Sequence, residues 1–549
     1  MILRALLLAF CASVVSCGDW YYGRDQPNRW STGGVWPLPK SIVYDSTNTS
    51  ISPKGIVVIS THTDCDIIKD NIDRYQKRWF FPFPVTAQTS FPDYAINILI
   101  TEPCPTGVPQ FESKEDYTLR VQGSQATLKA TQVWGALRGL ETFSQLIFYD
   151  EASNTYKIRS ATITDSPRFP VRGIMYDPSR HFLSVETLKR QMDLMAQNKF
   201  NYLHWHLVDS ESFTYESAKF PNLHAKGAYT RRHYYTRAQM QGIIDYARLR
   251  GIRVVPEFDT PGHTGAWVGQ PGFLTDCFNS DGSSSPRNLL DPTVDSTYTF
   301  LQEFFNEVSQ TFPDNWLHLG GDEVTGYVTQ CWRRNPKIMN WMAANGMGTD
   351  TQKLETYYFN KLSAMMNKLP VKKDNIFWQE VFDRNSPAAS SIIHLWDSHT
   401  FEELRTLIAS ATSKGHRVIV SSCWYLNYIK YGADWKVFVD GSEEIRSRYY
   451  YCDPTDFPGT DEQKAMVQGG IAAIFGEFID NTNLEPILWP RVSAVAERLW
   501  SPAATTTDAE AAWPRLHELR CRLVARGYTV SPNNFPDYCP FEFPIKSEF

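Results

Sequence analysis

Arg172-Gly-Ile-Met-Tyr-Asp177, Tyr202-Leu-His-Trp-His-Leu-Val-Asp209 and Arg253-Val-Val-Pro-Glu-Phe-Asp259 are short, largely apolar runs, each closed by a carboxylate and each followed by a longer helix-like stretch. Runs of this length read as strands buried on both faces, and their alternation with helical segments reads as βα repetition with a parallel sheet. Trp316 to Leu319, Ile376 to Trp378, Ile392 to Trp396, Arg417 to Val420 and Ile471 to Phe475 continue the pattern. About eight parallel strands within residues 168–549 predict an α/β fold, a (β/α)8 TIM barrel rather than an open doubly wound sheet. No glycine-rich phosphate loop follows any of these strands, which counts against nucleotide binding.

Upstream the pattern differs. Residues 18–167 carry short β-rich runs, Gly55 to Ser60 and Tyr94 to Ile100, then a helical stretch from Gln132 to Phe148. Trp134, Leu137, Leu140, Phe143 and Leu146 recur there at helical spacing, so a small α+β domain with a helix packed on a sheet is expected. The two prolines of Asp165-Ser-Pro-Arg-Phe-Pro170 mark the boundary. At the start, residues 1–17 place one arginine ahead of a short apolar stretch and small residues, the pattern of a secretory signal peptide cut around Ser16 to Gly18. That stretch is shorter than the ~20 residues of a spanning helix, and no integral membrane segment is expected.

Export fits the cysteines. Apart from Cys11 and Cys17, eight remain, and pairing nearest neighbours gives Cys65 with Cys104, Cys277 with Cys331, Cys423 with Cys452 and Cys521 with Cys539, one of about 105 arrangements. No CxxC pair suggests a cysteine metal site. Asn48-Thr49-Ser50 is a glycosylation acceptor in an exported chain. Over 549 residues, 54 Lys and Arg against 60 Asp and Glu, without a long single-sign run, give a net charge of -6, which disfavours a nucleic-acid partner. Aromatic content of 14% suits both sugar faces and large cores.

Asp177, Arg180, Asp209, Glu257, Asp259, Asp322, Glu323, Glu380, Asp397 and Glu477 all fall at or just after strand ends, the pole of a barrel where sites are built, although single carboxylates there also cap helices. His318-Leu-Gly-Gly-Asp-Glu323 is the most specific stretch, its glycines allowing a tight turn and close approach to a ligand. Two adjacent carboxylates facing one pocket should split, one raised as a proton donor and the other ionised, as glycosidic cleavage requires. Trp378, Trp396, Trp424, Tyr425 and Trp267 are candidates for a pyranose box, with core packing as the alternative, favoured for Trp424. His204 and His206 lie on one side of a strand and, with Asp209, His263 and Asp322, offer a rival metallohydrolase reading; a metal would leave the aromatic rim and the glycine turn unexplained.

Together these stretches resemble the β-N-acetylhexosaminidases of glycoside hydrolase family 20, of the animal lysosomal or secreted type. The resemblance is carried by Val133-Trp-Gly-Ala-Leu-Arg-Gly-Leu-Glu-Thr-Phe143, Asp177-Pro-Ser-Arg-His181, His204 to Asp209, Pro256-Glu-Phe-Asp-Thr-Pro-Gly-His263, His318 to Val324, Trp378-Gln-Glu-Val381, Leu488-Trp-Pro-Arg491 and Ala496-Glu-Arg-Leu-Trp500. It implies removal of terminal β-linked N-acetylglucosamine or N-acetylgalactosamine from glycoconjugates, with the substrate's 2-acetamido oxygen as nucleophile and an oxazoline intermediate. By the same resemblance Glu323 is the acid/base, Asp322 holds the acetamido N–H and Tyr425 its carbonyl. Arg180 and Glu477 clamp the sugar hydroxyls, Trp378 and Trp396 line the pocket, and Asp209 and His263 stand behind Glu323. No cofactor or metal is implied, and a homodimer in the lysosome or outside the cell is.

The chain departs from its relatives in three places. Phe475 stands where the family usually has Trp two residues before the carboxylate matched by Glu477. After Trp424-Tyr425-Leu426 come Asn427 and Tyr428, and the lack of a basic residue there predicts neutral terminal sugars. The segment Asp440 to Tyr451 is longer than usual. A retaining glycosidase with its own carboxylate nucleophile, and a silent sugar-binding protein, are the alternatives.

Overall fold

The computed structural model describes residues 31–542, apart from 84–89, 429, 431, 439–443, 533 and 535–536, together with 20–21 and 24–25. The export segment 1–17, with Cys11 and Cys17, and the first part of the Asp440 to Tyr451 segment lie outside the described residues.

In the N-terminal region the strands Ser41–Ile51, Thr155–Asp165, Tyr117–Gln122, Gln125–Ala130, Tyr94–Ile100 and Ile56–Ser60 lie side by side, and Ile147–Asp150 pairs with Thr155–Asp165. Alternating burial along Tyr117–Gln122 shows one face turned inward and one toward water. The helix covering the inner face is Val133–Gln145, and every residue of it is buried, because the barrel covers the side that the sheet does not. It ends earlier than its periodicity predicts: Leu146 caps it, and the β-prone Ile147-Phe-Tyr149 leaves to join the sheet. Asn48 is exposed on the first strand, beside a register shift.

The barrel is closed by eight parallel strands in chain order: Val171–Tyr176, Tyr202–Val208, Arg253–Phe258, Trp316–His318, Asp374–Trp378, Ile392–Leu395, Arg417–Val420 and Val467–Ile474. The last pairs back onto the first. It starts before the predicted Ile471 because Gly469 and Gly470 belong to the strand. A Cβ would lie 2.0 Å from the Val171 carbonyl oxygen at Gly469 and 2.1 Å from the Trp424 ring at Gly470, so only glycine fits. Helix starts are set by side-chain caps: Ser184 accepts from Thr187 N, and Thr236 and Thr400 form capping boxes with Gln239 and Glu403.

Four disulfides join Cys65 to Cys104, Cys277 to Cys331, Cys423 to Cys452 and Cys521 to Cys539. Of the segment ending at Tyr451, Tyr449 and Tyr450 are buried, their hydroxyls bonded to the Arg491 carbonyl oxygen and to Glu497. Among the described residues no helix is long and apolar enough to cross a membrane.

Candidate active site

The turn after the fourth barrel strand brings the chemistry to the upper pole. Gly320 and Gly321 have φ of 68° and 107°, and Glu323, not a glycine, has φ of 55°. What approaches closely at the glycines is protein, not open pocket: a Cβ on Gly320 would lie 1.8 Å from the Asp259 carboxylate, and one on Gly321 2.4 Å from Val381. Gly321 N donates to Asp259 Oδ1 at 2.8 Å, which ties the turn to the end of the third strand. His263 also sits in the left-handed region, with φ of 53°. Two non-glycine residues held at a cost of roughly 1–3 kcal/mol each mark this as a site under constraint.

Asp322 is recessed while Glu323 is exposed at the mouth, its backbone N–H donating to Glu380 Oε1 at 3.2 Å. His263 stands behind both: Nε2 is 3.3 Å from Glu323 Oε2 and 3.8 Å from Asp322 Oδ2, and Nδ1 is 3.0 Å from Asp209 Oδ1. The carboxylates are split, but in the sense opposite to a raised donor at Glu323. Burial raises Asp322, opposed by His263, whereas the hydrogen bond from His263 lowers Glu323. Asp259, buried and facing Asp322, is raised well above the ordinary carboxylate value, by burial first and then by the charge of Asp322. Glu380 is pushed up to about 7, by burial and then by Asp322, and accepts the Trp396 indole N–H at 2.9 Å.

Arg180 is fixed by three carboxylates, Asp177 at 3.0 Å, Asp209 at 2.7 Å and Glu211 at 3.2 Å. Asp177 also accepts from Ser179 N, Arg180 N and Gly476 N, so this strand-end carboxylate shapes the turn that carries the arginine. Trp396, Tyr425 and Phe475 form an arc, with ring centroids 5.8 Å and 5.6 Å apart, and Phe475 lies 5.5 Å from the Arg180 guanidinium carbon. Asn427 Oδ1 is buried without a hydrogen-bond partner among the described residues, and Glu477 is exposed on the loop after the eighth strand. Trp378 is the pocket's buried base, its indole N–H donating to Glu257.

Trp267 and Trp424 are not part of this arc. Both are fully buried, Trp267 among Phe213, Phe273 and Phe304, and Trp424 against the eighth strand, with its N–H reaching the Tyr449 carbonyl oxygen. His204 and His206 do share a side of their strand, but both turn to one carboxylate, Glu257 Oε2, at 2.7 Å. The donors of the metallohydrolase reading are thereby divided: His204 pairs with Glu257 inside the barrel, while Asp209, His263 and Asp322 lie beyond His206. Arg446 is an addition the sequence did not signal; its guanidinium lies 4.8 Å over Tyr425 and 4.9 Å over Tyr428, and it pairs with Glu444.

Residues 169–503 match the model of the glycosyl hydrolase family 20 catalytic domain, and residues 35–146 match a domain described as beta-acetyl hexosaminidase like. A beta-hexosaminidase A of Caenorhabditis briggsae is 56% identical over 95% of this chain and 96% of its own length. The beta-hexosaminidase subunit beta of Mus musculus is 42% identical over 98% and 97%. Among solved structures, the chitobiase of Flavobacterium johnsoniae superposes with a TM-score of 0.75 at 29% identity, covering 90% of this chain and 73% of that one. With the barrel, the Asp322-Glu323 turn and these matches in agreement, the chain belongs to glycosyl hydrolase family 20, as an enzyme of the β-hexosaminidase type.

Proposed function

We propose that this enzyme removes terminal, non-reducing β-linked N-acetylglucosamine and N-acetylgalactosamine from glycoconjugates, with retention and through an oxazoline. The observation that supports it most is the pairing of a recessed Asp322, within the electrostatic reach of Tyr425, with an exposed Glu323 at the mouth. A recessed carboxylate opposite a phenol suits an acetamido group, whose N–H donates to Asp322 and whose carbonyl oxygen accepts from Tyr425.

In the first step the acetamido oxygen forms a bond to C1 as the glycosidic C1–O bond breaks, and the Glu323 proton passes to the leaving oxygen. Water then adds to C1, giving its proton to Glu323, as the bond from C1 to the acetamido oxygen breaks and the 2-acetamido group is restored. Asp322 stabilises the positive charge of the cyclic intermediate; orientation rather than activation is what an internal nucleophile needs. A sugar covering Glu323 removes its water and raises its proton affinity, against the effect of His263.

Arg180 and Glu477 hold the sugar hydroxyls, and Asp209 and His263 orient Glu323. Phe475 leaves a narrower platform than the indole usual at that place, and Trp396 and Tyr425 carry most of the stacking. Arg446 is buried and paired with Glu444, so it presents no open cation, and neutral sugars are preferred. Four disulfides and an exposed Asn48 acceptor suit the secretory pathway, ending in the lysosome or outside the cell, and the family resemblance extends to a homodimer. A cyclic thiazoline analogue of the intermediate tests the mechanism: it should compete with substrate in the wild type and lose affinity at least ten-fold in Asp322→Asn. Equal affinity for both proteins would refute the role given to Asp322.

A further inference from the structure

Beneath the site lies a buried polar cluster that the reaction scheme does not use. Glu257, fully buried inside the third strand, receives donors from the second and fifth strands. Its Oε2 takes His204 Nε2 and His206 Nδ1, both at 2.7 Å, and its Oε1 takes the Trp378 indole N–H at 2.6 Å. His318 Nδ1 lies 3.3 Å from Oε1 but accepts from Gly320 N at 3.1 Å, so it carries no proton. Its Nε2 then donates to His394 Nδ1, His394 Nε2 to Ser421 Oγ, and Ser421 to the Ile471 carbonyl oxygen. Every direction in this chain is set by its terminal acceptor.

His206 is the exception among these histidines. Its Nδ1 faces Glu257 and its Nε2 faces Asp209 Oδ2 at 2.9 Å, so both nitrogens point at carboxylates and both must donate. Asp209 in turn accepts from His206 and Arg180 on one oxygen and from His263 on the other. The outcome is an alternating line of charge, Glu257, His206, Asp209, His263, Glu323, running from the barrel interior to the mouth.

We propose that Glu257 is a positioning residue for the acid/base step: by holding His206 as an imidazolium it fixes Asp209 and His263 in the arrangement that keeps a cation against Glu323. The protonation directions agree. Burial disfavours charge on His206 and His263, yet facing carboxylates raise both, while burial lowers His204 and His394 and takes His318 down to about 3. The charged or titratable groups that also face the line are Asp177, Arg180, Glu211, Asp259, Asp322 and Glu380, with Tyr202 below Glu257. Paired charges in a low-dielectric interior hold such an arrangement firmly, and removing one member disturbs the rest.

The inference rests on Glu323 being the acid/base, and the two are separable in one set of pH profiles. With a nitrophenyl leaving group that needs little protonation, Glu323→Gln should lose the basic limb of kcat/KM; a limb that survives refutes the acid/base assignment itself. Glu257→Gln should keep the limb but move it up by about half a pH unit, with kcat roughly ten-fold lower and KM within about two-fold. In a His263→Ala background, Glu257→Gln should move it little further. An unmoved limb in Glu257→Gln, or an equal shift in both backgrounds, overturns the proposal. Should Glu257→Gln not fold, His206→Gln breaks the same link and must give the same displacement.

Discussion

Carboxylates gather at both poles of the barrel, and those nearest the mouth are treated differently from those below. At the lower pole, where the N-terminal region meets the strand starts, Glu115 accepts from Arg138 at 2.8 Å, from Arg172 on both oxygens at 2.6 and 2.7 Å, and from Asn201 at 3.0 Å. Nearby, Asp165 takes Lys199, Tyr117 and the Trp500 indole, and Arg253 grips Asp314 with two bonds of 2.7 Å. Phe111 closes the lower mouth against Trp316. These groups are matched and enclosed. At the upper pole Asp322 Oδ1 is buried without a hydrogen-bond partner among the described residues, Glu323 is open to water, and Glu380 is pushed up to about 7. A fully satisfied carboxylate stabilises a fold; one left partly unsatisfied keeps the freedom to bind or move a proton.

That contrast is broken most decisively by substitutions whose effects fall on the wrong side. Glu323→Gln should lower kcat/KM on an unactivated disaccharide by roughly 10²–10⁴ with an unchanged melting temperature, as thermal denaturation beside an activity assay would show. Glu115→Ala should do the reverse, costing about 3–5 kcal/mol in urea unfolding because two arginines are left buried and unpaired, with KM of the folded protein unaltered.

The same residue gives the pH sign. Arg172 and Arg138 outweigh burial and lower Glu115, so its contribution is present above the unfolded value of about 4.3 and lost as pH falls through the lower folded value. Glu115→Gln should therefore remove part of the acid-side decline in stability, measured as unfolding midpoints against pH. At the upper pole a lowered Glu323 places the basic limb of kcat/KM in the acid range, since the protonated donor declines as pH rises above its pKa. Tyr425→Phe should cost about ten-fold in kcat, near the 1–2 kcal/mol of one lost hydrogen bond, without changing stability. The smallest effect is at the rim: Tyr428→Arg should raise turnover of a 6-sulfated aryl substrate a few-fold, and no gain would remove the account of that position.

Much of this was legible in the sequence because both-face burial makes parallel strands into short apolar runs, and the upper-pole carboxylates follow those runs directly. Trp267 was not legible as core, since an aromatic just past a strand end looks the same whether it faces a sugar or Phe304. Gly469 and Gly470 hid the start of the last strand, because close packing and a turn call for the same residue. Glu257 reads as one more strand-end acid; only closure of the barrel shows it inside, among histidines from the second and fourth strands. The order of protonation at Asp322 and Glu323 depends on Asp259 and His263, which sequence spacing does not set against them.

The central claim is that the substrate supplies its own nucleophile between Asp322 and Tyr425. Hydrolysis of an aryl 2-acetamido-2-deoxy-β-glucoside should be compared with that of the matching β-glucoside, which has a plain hydroxyl at C2, at mildly acidic pH. The account predicts cleavage of the acetamido substrate alone; equal cleavage of both would mean a protein nucleophile and would contradict it.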